Sequence, residues 1–152
     1  MPLPIEDYAL IGDRHTGALV GVDGSIDWLC MPRFDSASMF GALLGDEEHG
    51  HWRVGPVGVE RCASRAYAGD SFTLVTRWET PTGAAEVVDF MPAANRRADV
   101  IRRIRGISGT VRMEEVLRIR FDYADAIPWV RQSRSERGEH PHEHALIAVA
   151  GP

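Results

Sequence analysis

Apolar and polar residues alternate between residues 71 and 79 of this chain. Every second residue belongs to one mainly apolar face, which comprises Phe72, Leu74, Thr76 and Trp78. A period of two is typical of a strand with one buried side. The turn-forming sequence at 80–83 then separates this stretch from a second apolar one at 87–90. The pattern therefore predicts a β-hairpin.

The same period recurs between residues 111 and 122. The odd positions carry Met113, Leu117 and Ile119, whereas most even positions are charged. In a helix, Arg120 would share a face with Met113 and Val116, so the alternation favours a strand.

A further hairpin is predicted near the start of the chain. Asp23 and Gly24 separate the apolar stretches 18–22 and 25–31. Asp-Gly is a preferred pair for a type I′ turn, in which both central residues have positive φ. We expect that turn at this position.

One short helix is predicted near residues 36–44. Asp35 or Ser36 can cap its free N–H groups, and Gly45 can end it. Its apolar face would comprise Met39, Phe40, Leu43 and Leu44. The other elements resemble short strands with turns between them and without crossover helices. We therefore expect an all-β protein, an antiparallel β-sandwich with this single helix, over residues 1–152. The last strand-like stretch has no closing partner, so we expect an incomplete sandwich.

The charge of the chain argues against a nucleic-acid partner. The chain contains 17 Arg residues and 22 Asp and Glu residues, which give a formal net charge of −5. The local basic stretch at 96–105 has no interleaved aromatic residues. We expect its arginines to lie on a solvated strand edge or to pair with acidic residues rather than to bind phosphates.

Three further sequence features bear on the cellular setting. Cys30 and Cys62 are too few and too far apart for a disulfide framework or a zinc site, so both are expected to be reduced. The first residues lack the charged and apolar regions of a secretory signal. No apolar stretch approaches the length of a membrane span. We expect a cytoplasmic protein without a membrane partner.

Residues 8–56 resemble a known family. This segment contains VGVDGSIDWLCMPRFDS, and later stretches at 88–92, 102–106, 120–123 and 128–130 fit the same pattern. The chain is similar to the opening part of bacterial glycoside hydrolase family 15 proteins, of the trehalase or glucoamylase type. The resemblance covers nearly the whole sequence.

The resemblance implies an accessory domain rather than a catalytic one. In that family an N-terminal β-sandwich precedes an (α/α)6 barrel, whose two glutamates hydrolyse an α-glucosidic bond with inversion. This chain ends before such a barrel, so no catalytic residue is assigned to it and the fragment alone is expected to be inactive. The implied partners are the barrel of the same enzyme and trehalose or an α-glucan, and no cofactor is implied.

Four residues are candidates for contact with the barrel or the sugar, namely Trp28, Arg33, Phe34 and Asp35. They combine aromatic planes, a guanidinium and a carboxylate, which suit sugar hydroxyls. The pattern also places Trp28 on a strand face with Ile26 and Cys30, which favours core packing. Arg33 and Asp35 could equally pair with each other. We favour contact with the barrel over direct sugar contact.

Two other clusters were weighed as sites. His140, His142 and His144 alternate, so an extended segment would place three imidazoles on one side as a weak metal-site candidate. The polar surroundings favour an exposed loop instead. Asp23, Asp27 and Asp35 give no sign in the pattern of a desolvated carboxylate, so they are not expected to act as an acid/base set.

Three functional hypotheses remain open. The first is a sandwich that supports the barrel of a trehalase and shapes its substrate site. The second is a stand-alone carbohydrate- or protein-binding module, and the third is a remnant of a truncated gene. Sugar affinity without a barrel would distinguish the second from the first.

Overall fold

The computed structural model describes residues 2–93, 98–134 and 144–150, without the side chains of Arg134 and His144. Within these ranges the chain forms antiparallel sheets joined by turns and short 3-10 turns. The first sheet has the order β1-β2-β3-β5-β10, with β4 paired to β3. Its strands are β1 (Tyr8–Gly12), β2 (Gly17–Gly21), β3 (Ser25–Cys30), β4 (Ser38–Phe40), β5 (His51–Pro56) and β10 (Met113–Arg118).

The second sheet has the order β6-β7-β8-β9. Its strands are β6 (Ser64–Tyr67), β7 (Leu74–Thr80), β8 (Gly83–Phe90) and β9 (Ile101–Gly109). A separate hairpin is formed by β11 (Trp129–Arg134) and β12 (His144–Val149). These layers confirm the expected all-β, antiparallel sandwich.

The hairpin expected from the alternation at 71–79 is present as β7 and β8. Leu74, Thr76 and Trp78 point into the protein and are buried, whereas Glu79 is exposed. Trp78 packs with Val54 and Val87, which belong to opposite sheets. Three of the four residues predicted for this apolar face therefore lie where the two sheets meet, whereas Phe72 is 58% exposed and precedes β7.

The strand predicted from the alternation at 111–122 is present but shorter, and Leu117 on its apolar face is 41% exposed. Residues 113–118 form β10, which pairs with β5. Leu117 and Ile119 line an apolar cavity of about 170 Å³ that Phe40 and Trp52 also line. Glu115 accepts a hydrogen bond from the Trp52 indole N–H at 2.8 Å. The apolar face of β10 thus extends the core to the edge of the first sheet.

The turn between β2 and β3 differs from the expected type I′ turn. The Gly24 N–H bonds to the Gly21 carbonyl at 3.0 Å, and Val20 pairs with Ile26. Gly24 has φ +79°, but Asp23 does not adopt a positive φ. This is a three-residue loop with glycine in the left-handed position, which is the next most common hairpin connection. The hairpin was predicted correctly and its turn type was wrong.

The prediction of a helix near residues 36–44 was wrong. Ser38–Phe40 form the short strand β4, and only Ala42–Leu44 form a 3-10 turn. Ser38 pairs with Cys30, and its carbonyl accepts the Asp122 N–H at 2.9 Å. Pairing with two other segments satisfies the backbone of Ser38, so the helical spacing of Met39 and Phe40 does not decide the structure.

The two sheets are joined across the core by a buried arginine. Arg102 on β9 lies beside Asp89 on β8, and its side chain also donates to the carbonyl of Trp52 on β5 and to that of Gly24 in the loop before β3. The guanidinium lies 5.3 Å from the centroid of the Trp52 ring. Pairing with an acid was one of the two environments expected for this basic stretch, and it is confirmed for Arg102.

Candidate functional site

The loop at 31–37, between β3 and β4, carries three of the four predicted site residues. Its shape is fixed locally because the Ser36 N–H bonds to the Arg33 carbonyl at 3.1 Å and the Arg33 N–H bonds to Ser36 Oγ at 3.2 Å. The Phe34 N–H bonds to the His15 carbonyl at 3.2 Å, which ties this loop to the one between β1 and β2. We call residues 33–35 the docking loop, after the contact that the sequence predicts for them.

Arg33 and Asp35 form an ion pair on the surface of the docking loop. Arg33 Nε lies 2.9 Å from Asp35 Oδ1, and the two side chains are 69% and 74% exposed. The hydrogen bond from Arg33 lowers the pKa of Asp35, and the same bond raises the pKa of Arg33. An exposed pair contributes little to stability. Its consequence is that both groups are held in a defined position while remaining accessible.

Phe34 presents an aromatic ring to solvent between these two charges, and it is 59% exposed. Its Cε1 atom lies 3.4 Å from the position that a Cβ on Gly17 would occupy. A larger residue at 17 would therefore crowd the ring. The neighbouring loop is anchored by the buried Asp13, whose Oδ1 accepts the His15 and Thr16 N–H groups at 2.8 Å each. An ordered support thus underlies the exposed Phe34.

Trp28, the fourth predicted residue, has a different environment. It is half-buried on β3, whereas Ile26 and Cys30 are fully buried. Its ring lies 5.6 Å from that of Tyr123, with a tilt of 42°. The structure therefore separates the candidates into the docking loop and an aromatic pair.

Tyr123 was not identified as a site residue from the sequence, although it belongs to the family-like stretch 120–123. Its N–H bonds to Ser38 Oγ at 2.6 Å. Asp122, Tyr123 and Ala124 all adopt positive φ values of 51–75°. Non-glycine residues are costly in this conformation and are enriched at binding sites. The constrained segment places Tyr123 against Trp28.

Asp27 shows that the sequence pattern missed a desolvated carboxylate. It is buried on β3, and it accepts hydrogen bonds from the Tyr8 hydroxyl at 2.6 Å and the Ser25 hydroxyl at 2.5 Å. Burial, together with the bond to Asp27, raises the pKa of Tyr8. Burial also raises the pKa of Asp23, and the nearby charge of Asp27 adds to this effect. Both carboxylates line a polar cavity away from the docking loop.

Comparison with known protein families identifies the chain. The family described as trehalase-like, N-terminal, matches residues 1–138. This chain belongs to the trehalase-like N-terminal domain family.

Three named trehalases show the extent of the similarity. The trehalases of Mycolicibacterium smegmatis and Mycobacterium tuberculosis are each 37% identical over 139 residues, which cover 79% of this chain. Trehalase 1 of Sulfolobus acidocaldarius is 39% identical over 103 residues, or 68% of this chain. These alignments cover 21%, 20% and 18% of the three relatives. The trehalase-like domain therefore spans about a fifth of their length. No solved structure matches it.

The structure tests only part of the remaining site predictions for the trehalase-like domain. His140 and His142 lie outside the described residues, as does the side chain of His144, so the metal-site prediction is untested there. In the ranges that the structure describes, no group of three His, Cys, Asp or Glu residues is arranged to hold a metal ion. Among the same residues, no helix is long and apolar enough to cross a membrane.

Proposed function

We propose that this domain is the accessory domain of an α,α-trehalase, which supports the catalytic domain and shapes its substrate site. The observation that carries the proposal is the family match over residues 1–138 together with the coverage of only a fifth of the named trehalases. The catalytic domain of the same polypeptide is then the partner. Hydrolysis with inversion needs an acid and a base carboxylate on opposite faces of the sugar, and we assign both to that partner.

The docking loop is the proposed contact with the catalytic domain. Phe34 offers an exposed aromatic anchor, and aromatic residues dominate the binding energy of many interfaces. Arg33 and Asp35 flank it with opposite charges that pair with each other, and the Arg33 backbone N–H is bonded to Ser36 Oγ. Ordering these side chains on binding costs little entropy because they are pre-organised. A partner surface with an apolar pocket between charged groups fits this arrangement.

The substrate and the cellular location extend this proposal. The named relatives are trehalases, so trehalose is the proposed substrate of the complete enzyme, with α-glucans as the alternative. The cytoplasm stays the predicted location.

A chimera tests the function directly. This domain would replace the corresponding segment of the Mycolicibacterium smegmatis trehalase, and glucose release would be measured from trehalose and from maltooligosaccharides. We expect the chimera to cleave trehalose and the 152-residue chain alone to be inactive. Phe34→Ala in the chimera should lower kcat/KM about tenfold, because the anchor of the interface is lost.

Phe72→Ala is the matched control. Phe72 is 58% exposed, nearly the same as Phe34, but its ring lies against Tyr67. We expect no effect of this substitution on kcat/KM. Equal losses in the two variants would refute the docking loop as the contact. Saturable binding of trehalose or maltotriose to the chain alone would instead favour the stand-alone binding module, and activity of that chain would refute an accessory role.

A further inference from the structure

The first sheet has an edge that no described strand covers. β10 pairs with β5 on one side, and among the described residues no strand pairs with it on the other. The Val57 N–H bonds to the Arg112 carbonyl at 3.0 Å, and bonded residues alternate along an antiparallel ladder. Val116 is therefore bonded to β5. The N–H and C=O groups of Glu115 and Leu117 point to the uncovered edge.

A gap of about 290 Å³ runs along this edge. Residues 116–120 line it on one side, and Pro128, Val130 and Leu146 line it on the other. Successive side chains of an extended chain point to opposite faces, so a cavity lined by consecutive residues follows the edge rather than one face. The hairpin of β11 and β12 thus lies beside β10 without pairing with it.

The gap is mainly apolar, and it adjoins the core. Leu117 and Ile119 line both the gap and the apolar cavity of about 170 Å³ described above. On the other side of the gap, Val130 and Leu146 are 56% and 63% exposed. A hairpin of two strands is marginally stable by itself. Its apolar side chains therefore need a further element to pack against.

The polypeptide of the related trehalases continues close to this gap. The matched segments make up only 18–21% of the three named trehalases, and the family is an N-terminal one. Leu146 belongs to β12, so a chain that continues from β12 begins beside the gap. A short connection within one polypeptide gives a high effective concentration, which favours this occupant over a second copy of the domain.

We propose that one strand of the polypeptide that follows this domain in the complete trehalase occupies the gap and pairs with β10. Its backbone bonds to the free groups of Glu115 and Leu117, and its alternate apolar side chains fill the space beside Leu117 and Ile119. Strand addition of this kind takes its affinity from main-chain hydrogen bonds and its specificity from side-chain pockets. The inference rests on the accessory role, and it adds a second contact to that of the docking loop.

Hydrogen exchange at single amides tests this proposal in the chimera described above and in the 152-residue chain. The Leu117 N–H reports the uncovered edge, and the Val116 N–H, which bonds to β5, is the internal control. We expect Leu117 to exchange about a hundredfold more slowly in the chimera, and Val116 to be protected in both proteins. Equal exchange of Leu117 in the two proteins would overturn the proposal. Protection of Leu117 in the 152-residue chain that increases with protein concentration would assign the gap to a second copy, and it would overturn the proposal too.

A charged substitution in the gap locates the strand. Leu146→Asp places a carboxylate there and should accelerate the exchange of Leu117 in the chimera about tenfold, because the apolar contact is lost. Leu44→Asp is the matched control, since Leu44 is 67% exposed and lies outside both cavities. We expect it to leave the exchange of Leu117 unchanged. Equal rates in the two variants would place the strand elsewhere and refute the assignment.

Glucose release from the chimera separates this inference from the proposed function. An active chimera in which Leu117 stays unprotected would refute the added strand and leave the accessory role in place. An inactive chimera in which Leu117 is protected would support the strand and count against the accessory role.

Discussion

Arg102 and Asp89 form an ion pair in the interior of the sandwich, with Nε 2.9 Å from Oδ1 and side chains that are only 2% and 1% exposed. The guanidinium also donates to Trp52 O at 2.5 Å and to Gly24 O at 2.7 Å. One side chain thus binds a buried carboxylate, a carbonyl of the opposite sheet and a carbonyl of the β2–β3 loop. Removing only one partner of a buried ion pair is strongly destabilising, because the other charge stays buried without compensation.

Arg102→Met should lower the free energy of unfolding by about 3–5 kcal/mol, because it leaves the Asp89 charge buried without a partner. Arg103→Met changes the neighbouring exposed residue of β9 and should stay within about 0.5 kcal/mol. Urea denaturation followed by fluorescence measures both. The double variant Arg102→Met, Asp89→Leu should recover part of the loss. Equal midpoints for the two single variants would contradict the structural role of the pair.

Gly24→Ala should be strongly destabilising. The left-handed conformation costs about 1–2 kcal/mol for alanine. The added Cβ would also lie 2.9 Å from Trp78 Cζ2, and forced overpacking costs about 1–3 kcal/mol more. Gly58→Ala is the control, since Gly58 has φ +74° but no atom within 4 Å of the added Cβ. It should show the conformational cost alone. Similar losses in the two variants, measured by urea denaturation, would show that the space around Gly24 is not restricted.

Ser38→Ala should cost about 1–3 kcal/mol, because the Tyr123 N–H loses its acceptor in a partly buried position. We also expect a change in the near-ultraviolet circular dichroism, as Tyr123 is no longer held against Trp28. Ser36→Ala removes the acceptor of an exposed hydrogen bond next to the docking loop and should cost less than about 0.5 kcal/mol. An unchanged aromatic signal in Ser38→Ala would contradict the proposed constraint on Tyr123.

Asp23 should make the domain less stable as the pH rises. Burial raises its pKa in the folded state above the ordinary value of 3.8, so the folded state binds the proton more tightly than the unfolded state. The resulting stability is fully present below pH 3.8 and is lost as the pH rises through the raised folded pKa. The Asp23→Asn variant has no titrating group at this position, so it does not undergo this loss of stability. Its stability relative to the unsubstituted protein should therefore increase across that window and then stay constant, as measured by urea denaturation at several pH values. A difference that does not change with pH would contradict the shift.

The elements that could be predicted from the sequence are those in which local pattern and burial agree. In β7, Leu74, Thr76 and Trp78 occupy every second position and face the core, so the period of two was sufficient. The region 36–44 failed because its apolar spacing fits a helix while Ser38 pairs with Cys30 and Tyr123. Those partners are distant in sequence, and local spacing contains no information about them.

The site was predictable in composition but not in arrangement. Arg33, Phe34 and Asp35 were identified together, and the structure presents them on one loop. Trp28 was expected to pack in the core or to meet a partner, yet its neighbour is Tyr123. The cavity around Asp27 depends on the register of β3 and β5, which the sequence pattern does not fix.

The position of β10 in the first sheet has a consequence for synthesis of the protein on the ribosome. β5 ends at Pro56, but its outer neighbour begins only at Met113, after the whole second sheet. At a translation rate of about 5–20 residues per second, Met113 is synthesised about 3–11 s after the end of β5. During this interval Trp52 and Phe40 lack the cover of Leu117 and Ile119. Apolar surface exposed in this way makes a nascent chain prone to aggregation and to capture by chaperones.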